Sequence, residues 1–493
     1  MNNSSRINRV QSLFTSWIDK WTLAFAFIGI AYGVVVAVAS GYFGILILLA
    51  LLGAIALALV VFNPDLGVAM VLMVLFGQVQ RAFVEVQGWP GPGRPLVAFM
   101  IGVVGLRFLL FSERPTSWIR NNFILAAYAI SLLISVVAAK DFPVAFEEFK
   151  NFLENLLVVS IILFIVQSSP SLKRSIWAVI AIGIFMASVS VFQNLTKTFD
   201  HTYLGFGGWE YSGYVGRPRM TGPYETPNPY AQILSVIFIL ALERGWRAKK
   251  ILLRMFAIAG AGIMALALIY TDSRGGFLGL IFTVMVFLLF NRPSISSVLV
   301  ITTIGLILMQ FLPSNYTERI LTLTQLFNKN TSVISDESFR GRTSENIAAW
   351  RMFLDHPIFG VGLDNFSEFY QSYSREIGLD DRREARDPAS LYLQLLASQG
   401  LLGTAVHLGI VFLVLQRLYR SRKELLDMGY EDEASIASAL FAALIGYMFM
   451  SIYKNNAYAN AFWSLMSLCM AVSQITFNLK TEREENRPLE ISA

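Results

Sequence analysis

The chain has 493 residues, of which 55% are hydrophobic and only 15% charged. That length would suit two or three soluble domains, but the composition belongs in a bilayer. A formal charge of +5 does not imply a nucleic-acid partner, because Lys and Arg fall mostly at the ends of apolar runs, where they orient membrane spans. Cys469 is the single cysteine, which excludes an internal disulfide and a cysteine-cluster metal site. His201, His356 and His407 are too scattered to suggest a metal site and read as structural. The expectation is no metal and no cofactor.

Arg6, Arg9 and Lys20 precede an apolar run ending Ala37-Val38-Ala39, the pattern of a signal-peptide cleavage site. A second apolar run follows at once, so the first reads as an uncleaved span. Crossing a hydrocarbon core of about 30 Å takes about 20 apolar residues. Runs near that length recur at 22–40, 43–62, 66–80, 95–111, 123–139, 156–168, 176–195, 229–242, 251–270, 276–290, 297–312, 390–415, 435–452 and 459–478. The fold class is therefore all-α, a polytopic membrane protein with about 12–14 transmembrane helices and a large outer loop containing helices. The third and sixth runs are short enough to be tilted, half-inserted or merged with neighbours.

With the N-terminus inside, the inner connections hold Arg114 and Arg120, then Lys173 and Arg174, then Arg244, Arg247, Lys249 and Lys250, and later Arg417, Arg420, Arg422 and Lys423. The short outer connections carry fewer cations, Arg81 and Arg94 among them, which is the bias that orientation requires. Both termini are then cytoplasmic. Two outer segments, 196–228 and 313–388, are long enough to carry chemistry. The second has nine Lys/Arg and twelve Asp/Glu, so it is charged without being simply basic. The chain divides into N-terminal spans (1–195), a core with both outer loops (196–415), and C-terminal spans with a tail (416–493).

Residues 142–156 place Phe142, Ala145, Phe146, Phe149, Phe152, Leu153 and Leu156 on one helical face and Glu147, Glu148, Lys150 and Glu154 on the other. This fits an interfacial helix or a packed connector between spans.

Residues 216–231 contain Arg217 and Arg219 and run to Asn228-Pro229, where Pro229 suits a first helical turn and Asn228 a cap. A helix N-terminus with guanidinium groups makes an anion site; a rigid Pro-rich turn with surface arginines is the alternative. Arg274, in the tight turn Thr271-Asp272-Ser273-Arg274-Gly275-Gly276, lies at the outer membrane boundary, where a charge is costly and suggests function. Snorkelling to lipid phosphate is the rival account, and Asp272 is its candidate structural partner. Farther on, Ser338-Phe339-Arg340-Gly341-Arg342 precedes an amphipathic run, Asn346 to Leu354. The loop continues through Asp355-His356-Pro357-Ile358-Phe359-Gly360-Val361-Gly362-Leu363-Asp364-Asn365-Phe366 and closes with Arg386-Asp387-Pro388. A membrane helix follows, with Ser390, Tyr392 and Gln394 bringing polar groups to its mouth.

Four segments together resemble the bacterial O-antigen ligase and O-antigen polymerase superfamily: Arg219-x-x-Gly222 with Pro227-Asn228, Ser273-Arg274-Gly275-Gly276, the run from Arg342 through Trp350 to Asn365-Phe366, and Tyr392-Leu393-Gln394 with Gly400-Leu401-x-Gly403. The resemblance covers roughly residues 210–410. It implies a metal-independent, inverting glycosyltransferase of the bacterial inner membrane, working at the periplasmic face. The donor would be a glycan on an undecaprenyl diphosphate carrier, and the acceptor hydroxyl would belong to lipid A core or a growing polysaccharide, as in lipopolysaccharide synthesis. Arg219 and Arg274 would hold the diphosphate, and Arg342 would lie near a glycan. A guanidinium can stabilise a diphosphate leaving group without a metal.

One departure stands out. The family's ligases place a histidine just before the Tyr-Leu-Gln helix to activate the acceptor hydroxyl, and here that position is Ala389. Asp387 is the nearest carboxylate in sequence, Glu384 the next, and His356 belongs to the same loop. A transporter of an anion or lipid-linked sugar, and a non-catalytic homologue, are the other readings; no internal repeat of the kind common in transporters is present.

Overall fold

The computed structural model describes residues 60, 63–110, 115–212, 216–291, 337–379 and 386–485. The predicted spans 22–40 and 297–312, nearly all of 43–62, the loop start at 313–336 and Glu384 lie outside these residues. The chain divides at Gly67 into two units, and apart from residues 64–67 at the start of the first helix everything that follows lies in the larger, from Val68 onward.

Helix α1 (Pro64–Phe76) is followed by a short turn of helix, Val79–Arg81, that runs into a π-helical turn, Ala82–Val86. The two parts bend by 69°, with Gln78 in the left-handed region at φ 49. Then come α2 (Gly93–Leu110), α3 (Thr116–Val137), α4 (Phe142–Ile165) and α5 (Ser169–Thr196). A two-stranded antiparallel hairpin follows, β1 (Trp209–Ser212) and β2 (Arg217–Met220). The remaining helices are α6 (Pro227–Arg247), α7 (Ile251–Tyr270), α8 (Arg274–Asn291), α9 (Glu337–Asp355), α10 (Phe366–Ile377), α11 (Leu391–Asp427), α12 (Glu431–Met450) and α13 (Asn460–Glu485).

Seven described helices are long and apolar enough to cross a membrane, or eight if the bent pair at 64–86 is one span. They are α3, α5, α7, α8, α11, α12 and α13. The predicted segments starting at 95, 156 and 229 are helical too, to Leu110 in α2, to Ile165 in α4 and throughout in α6. Helix α6 is the inner element: it packs on α5, α7, α8 and α12 and buries Tyr230, Leu234, Ile237 and Leu240.

Two expectations change. The segment 142–156 is no separate interfacial element, because α4 runs on unbroken to Ile165. Asp141 caps it, its Oδ1 accepting from the Val144 amide at 3.2 Å, and no Gly or Pro interrupts the turns beyond Pro143. The span 390–415 is broken instead: Gly400 has φ 64 and ψ −164 inside α11. The break is filled by the loop after α9, with amide bonds from Leu401 to Pro357 O (2.8 Å) and from Val361 to Ala397 O (2.8 Å). A Cβ on Gly400 would sit 2.4 Å from the Ile358 carbonyl carbon, and one on Gly360 2.4 Å from that of Ser398. Only glycine permits this approach of two backbones. The fold is all-α as expected, with the two-stranded hairpin as a small addition among the described residues.

The charged connections sort to two ends of the bundle. At one end Lys173 pairs with Glu433 (2.7 Å) and Asp432 (2.5 Å), Arg244 with Asp432 (2.9 Å), and Arg247 with Glu431 (3.2 Å). Glu431, Asp432 and Glu433 form the first turn of α12, where the helix dipole favours acids. The hairpin, the 271–273 turn and the 451–459 connection lie at the other end.

Candidate active site

The hairpin register sets Glu210 opposite Arg219 and Ser212 opposite Arg217. Gly222, at φ 55, turns the chain out of β2; a Cβ there would meet the Tyr230 ring at 2.6 Å. Both β2 arginines reach the turn between α7 and α8. Arg217 donates to both carboxylate oxygens of Asp272, Nε at 2.9 Å. Arg219 donates from Nε to Thr271 O at 2.9 Å and from Nη1 to Glu210 Oε1 at 2.9 Å.

Thus Asp272 is the partner of Arg217 and not of Arg274, contrary to the expectation from sequence. Its side chain is only 2% exposed, so the bidentate guanidinium is what makes a carboxylate tolerable there. Ser273 closes the turn: its Oγ accepts from the Gly276 amide at 3.1 Å and donates to Asn228 Oδ1 at 2.8 Å. That is N-terminal capping of α8, and it leaves Arg274 as the first residue of the helix, half-buried.

Asn228 does not cap α6. Thr226 holds the cap position, and Asn228 lies inside the first turn, bound to Ser273 across the site. Arg217, Arg219 and Asn228 are therefore gathered on Thr271-Asp272-Ser273, immediately before Arg274. Two helix N-termini, those of α6 and α8, open at this point, and their unsatisfied amides favour an anion.

On the other side of the α6 N-terminus lies a cavity of about 300 Å³ whose lining includes Arg81, Glu225, Thr226, Asp387, Lys454 and Asn456. Arg81 is held by Glu85 (2.7 Å) and by Pro223 O (3.2 Å). The 451–459 connection is fixed tightly: Asn456 Nδ2 donates to Gln232 Oε1 at 2.6 Å, and the Leu391 amide donates to Ser451 O and Lys454 O, each at 3.0 Å. The start of α11 and Lys454 are thus one hydrogen bond apart. Burial pushes the Lys454 ammonium below the ordinary lysine range, against the pull of Asp387, Glu225 and Glu345 and with the push of Arg342.

Asp387 is exposed at this cavity, and Ala389 lies between it and the first turn of α11. Arg342, exposed on α9, faces the same region through its charge on Lys454. The Tyr392 hydroxyl, in the first turn of α11, donates to Met448 O near the end of α12 at 2.9 Å. Arg81 entered the sequence reading only as an outer-loop charge, and Lys454 not at all. Lys454 stands at the end of a span, where a lysine reads as a topology signal.

The Asp-His-Pro-x-x-Gly-x-Gly-x-x-Asn-Phe run is structural. Asn365 clamps the α3–α4 junction, accepting from the Asp141 amide at 2.7 Å and donating to Asp141 O at 3.1 Å. Phe366 joins Ala348, Met352, Val361, Tyr370 and Ala397 in a core that fastens α9 and α10 to α11. His407 is also structural: its Nδ1 lies 2.7 Å from the buried Tyr128 hydroxyl, and its ring stacks on Phe462.

Residues 259–408 match the family model described as O-antigen ligase, which bears out the resemblance read from the motifs. Over 373 residues the chain is 22% identical to the teichuronic acid biosynthesis protein TuaE of Bacillus subtilis (strain 168), covering 72% of this chain and 71% of that relative. These likenesses support a ligase- or polymerase-like role in polysaccharide biosynthesis for a multi-pass membrane protein. The matched segment contains Arg274, Arg342, Asp387 and Tyr392, while Arg217, Arg219, Arg81 and Lys454 lie outside it.

Proposed function

We propose that the protein transfers a glycan from an undecaprenyl diphosphate carrier to an acceptor hydroxyl at the outer face of a bacterial inner membrane. The observation that carries this reading is the gathering of Arg217, Arg219 and Asn228 on the Thr271-Asp272-Ser273 turn that ends at Arg274. Arg219 and Arg274, with the α6 and α8 N-termini, hold the diphosphate. Arg217 contributes by locking Asp272 and hence the turn.

The cavity beyond Thr226 takes the acceptor glycan. Its lining of amides, acids and cations suits sugar hydroxyls, and its size is at the lower end of small-molecule sites. The acceptor oxygen attacks the anomeric carbon as the carbon–oxygen bond to phosphate breaks, and a single displacement inverts the centre. Charge grows on the departing diphosphate, where preorganised guanidinium groups and helix amides stabilise it. Ala389 has no atom to accept the hydroxyl proton, so another group of the cavity does.

The α9–α10 segment covers the site as a lid. A transporter reading draws on the breaks at Gln78 and Gly400, since broken helices line substrate paths in many transporters. The Gly400 break, however, is filled by backbone from residues 357–362. Purified protein in liposomes, given a defined undecaprenyl-diphosphate glycan, is expected to lengthen the chain or move it to an acceptor lipid, as read on a gel. No product with native donor and acceptor, together with solute uptake, would sink the enzyme reading in favour of transport.

A further inference from the structure

Four observations converge on Lys454. It lines the cavity together with Asp387, Glu225 and Arg81. Its carbonyl holds the first amide of α11 at 3.0 Å, so its position relative to Asp387-Pro388-Ala389 is set by backbone. Asn456 donates to Gln232 Oε1, the Tyr447 hydroxyl donates to Asn456 O and the Trp463 indole donates to Ala457 O, which keeps the connection rigid. Among the described residues its ammonium has no hydrogen bond; the charges of Asp387, Glu225 and Glu345 favour it, and that of Arg342 opposes it.

Resting on the glycan-transfer reading above, we propose that the Lys454 amine is the general base for the acceptor hydroxyl, with Asp387 as the carboxylate that stabilises the ammonium so formed. The hydroxyl proton passes to the lone pair on Nζ. The hydroxyl oxygen bonds to the anomeric carbon while the bond from that carbon to the phosphate oxygen breaks, and its electron pair leaves with the diphosphate. The ammonium then returns its proton to water at the cavity mouth, where Asp387 is exposed.

A lysine works as a base only when a useful fraction is neutral, and burial supplies this by favouring the uncharged amine. Burial at the cavity moves Lys454 in that direction. The charges of Asp387, Glu225 and Glu345 oppose that shift, and they also stabilise the proton once it has arrived. The division of labour, a base oriented by structure and a carboxylate compensating its charge, is that of base–acid pairs in other hydrolases and transferases.

The test uses full-length protein in liposomes and three readouts. Lys454→Ala and Lys454→Arg are both expected to lower the turnover number by about 10²–10⁴-fold, with donor affinity within about threefold of the parent. Arginine keeps the charge but cannot give up its proton at accessible pH. Ethylamine is expected to restore turnover to Lys454→Ala in proportion to its free-base form, which a merely structural role would not allow. Lys454→Arg within about threefold of the parent turnover, or no rescue by amine, would overturn the assignment.

Competitive acylation of the unmodified protein guards against variants that fail to fold. Lys454 should label at lower pH than the exposed Lys249 and Lys250; labelling at the same pH or higher overturns the proposal without any variant. Parent protein that binds donor but transfers nothing overturns the glycan-transfer reading, and this assignment with it. Active parent protein with an indifferent Lys454→Arg overturns the assignment alone.

Discussion

Arg217 grips Asp272 through two guanidinium donors, and this contact joins the hairpin to the turn that presents Arg274. The carboxylate is 2% exposed and the guanidinium 34%. Removing the arginine therefore strands a buried charge, which costs more than the pair itself contributes. Arg217→Ala is expected to lower stability by about 2–3 kcal/mol. Adding Asp272→Asn, which tolerates the left-handed φ of 51 at that position, should recover most of the loss. Thermal unfolding in detergent reads both; equal losses in single and double variants would show that the pair does not hold the turn.

Gly400→Ala places a methyl group against the Ile358 backbone in a conformation that only glycine adopts readily. Neither partner is a flexible side-chain end, so the loop must leave the break in α11. A loss of about 2–3 kcal/mol and faster proteolysis between residues 356 and 366 are the expected outcomes. Limited proteolysis followed by mass spectrometry checks them, and an unchanged cleavage pattern would argue that the loop is not docked there.

Ser273→Ala removes both the α8 cap and the hydrogen bond to Asn228. The cap alone is worth about 1 kcal/mol. Ser273→Asp keeps a capping acceptor but places a negative charge at the proposed diphosphate site. It should therefore retain stability and lose donor affinity, a split that titration with a polyprenyl diphosphate resolves.

Glu148 is half-buried in α4, and burial, followed by the charges of Asp364, Asp387 and Glu147, raises its carboxyl above the usual range, while Asn151 pulls the other way. A raised carboxyl binds protons more tightly folded than unfolded, so its contribution to stability is present below the ordinary value of 4.5 and is lost as pH rises through the folded value. Glu148→Gln should unfold about 1–2 °C higher than the parent at neutral pH, and the gap should close toward pH 4. A gap that widens on acidification would reverse the sign and contradict the account. The Asn151 hydrogen bond can be kept by the glutamine oxygen.

Helices were legible where hydropathy has a sharp edge. The apolar run 251–270 coincides with α7 because Lys249-Lys250 and Thr271-Asp272 bound it on both sides. The α4 continuity was not legible, since its charged and apolar halves suggest two environments while nothing in the backbone breaks. The hairpin escaped because four-residue strands give too little alternation to read; Trp209-Glu210-Tyr211 before the glycines at 213 and 216 was the available signal. In the site, Arg219 and Arg274 were visible as charges beside prolines and glycines at the membrane boundary. The Arg217–Asp272 pairing, the cavity and Lys454 depend on contacts between residues tens to hundreds of positions apart, which no local pattern records.

The central claim is that Arg219 and Arg274 hold a lipid diphosphate. Equilibrium binding of undecaprenyl diphosphate to purified protein in nanodiscs tests it most directly. Arg219→Ala and Arg274→Ala should each weaken binding by at least about tenfold, while Arg254→Ala, an exposed arginine at the opposite end of α7, leaves it unchanged. Binding as tight in Arg219→Ala and Arg274→Ala as in the parent protein would contradict the account.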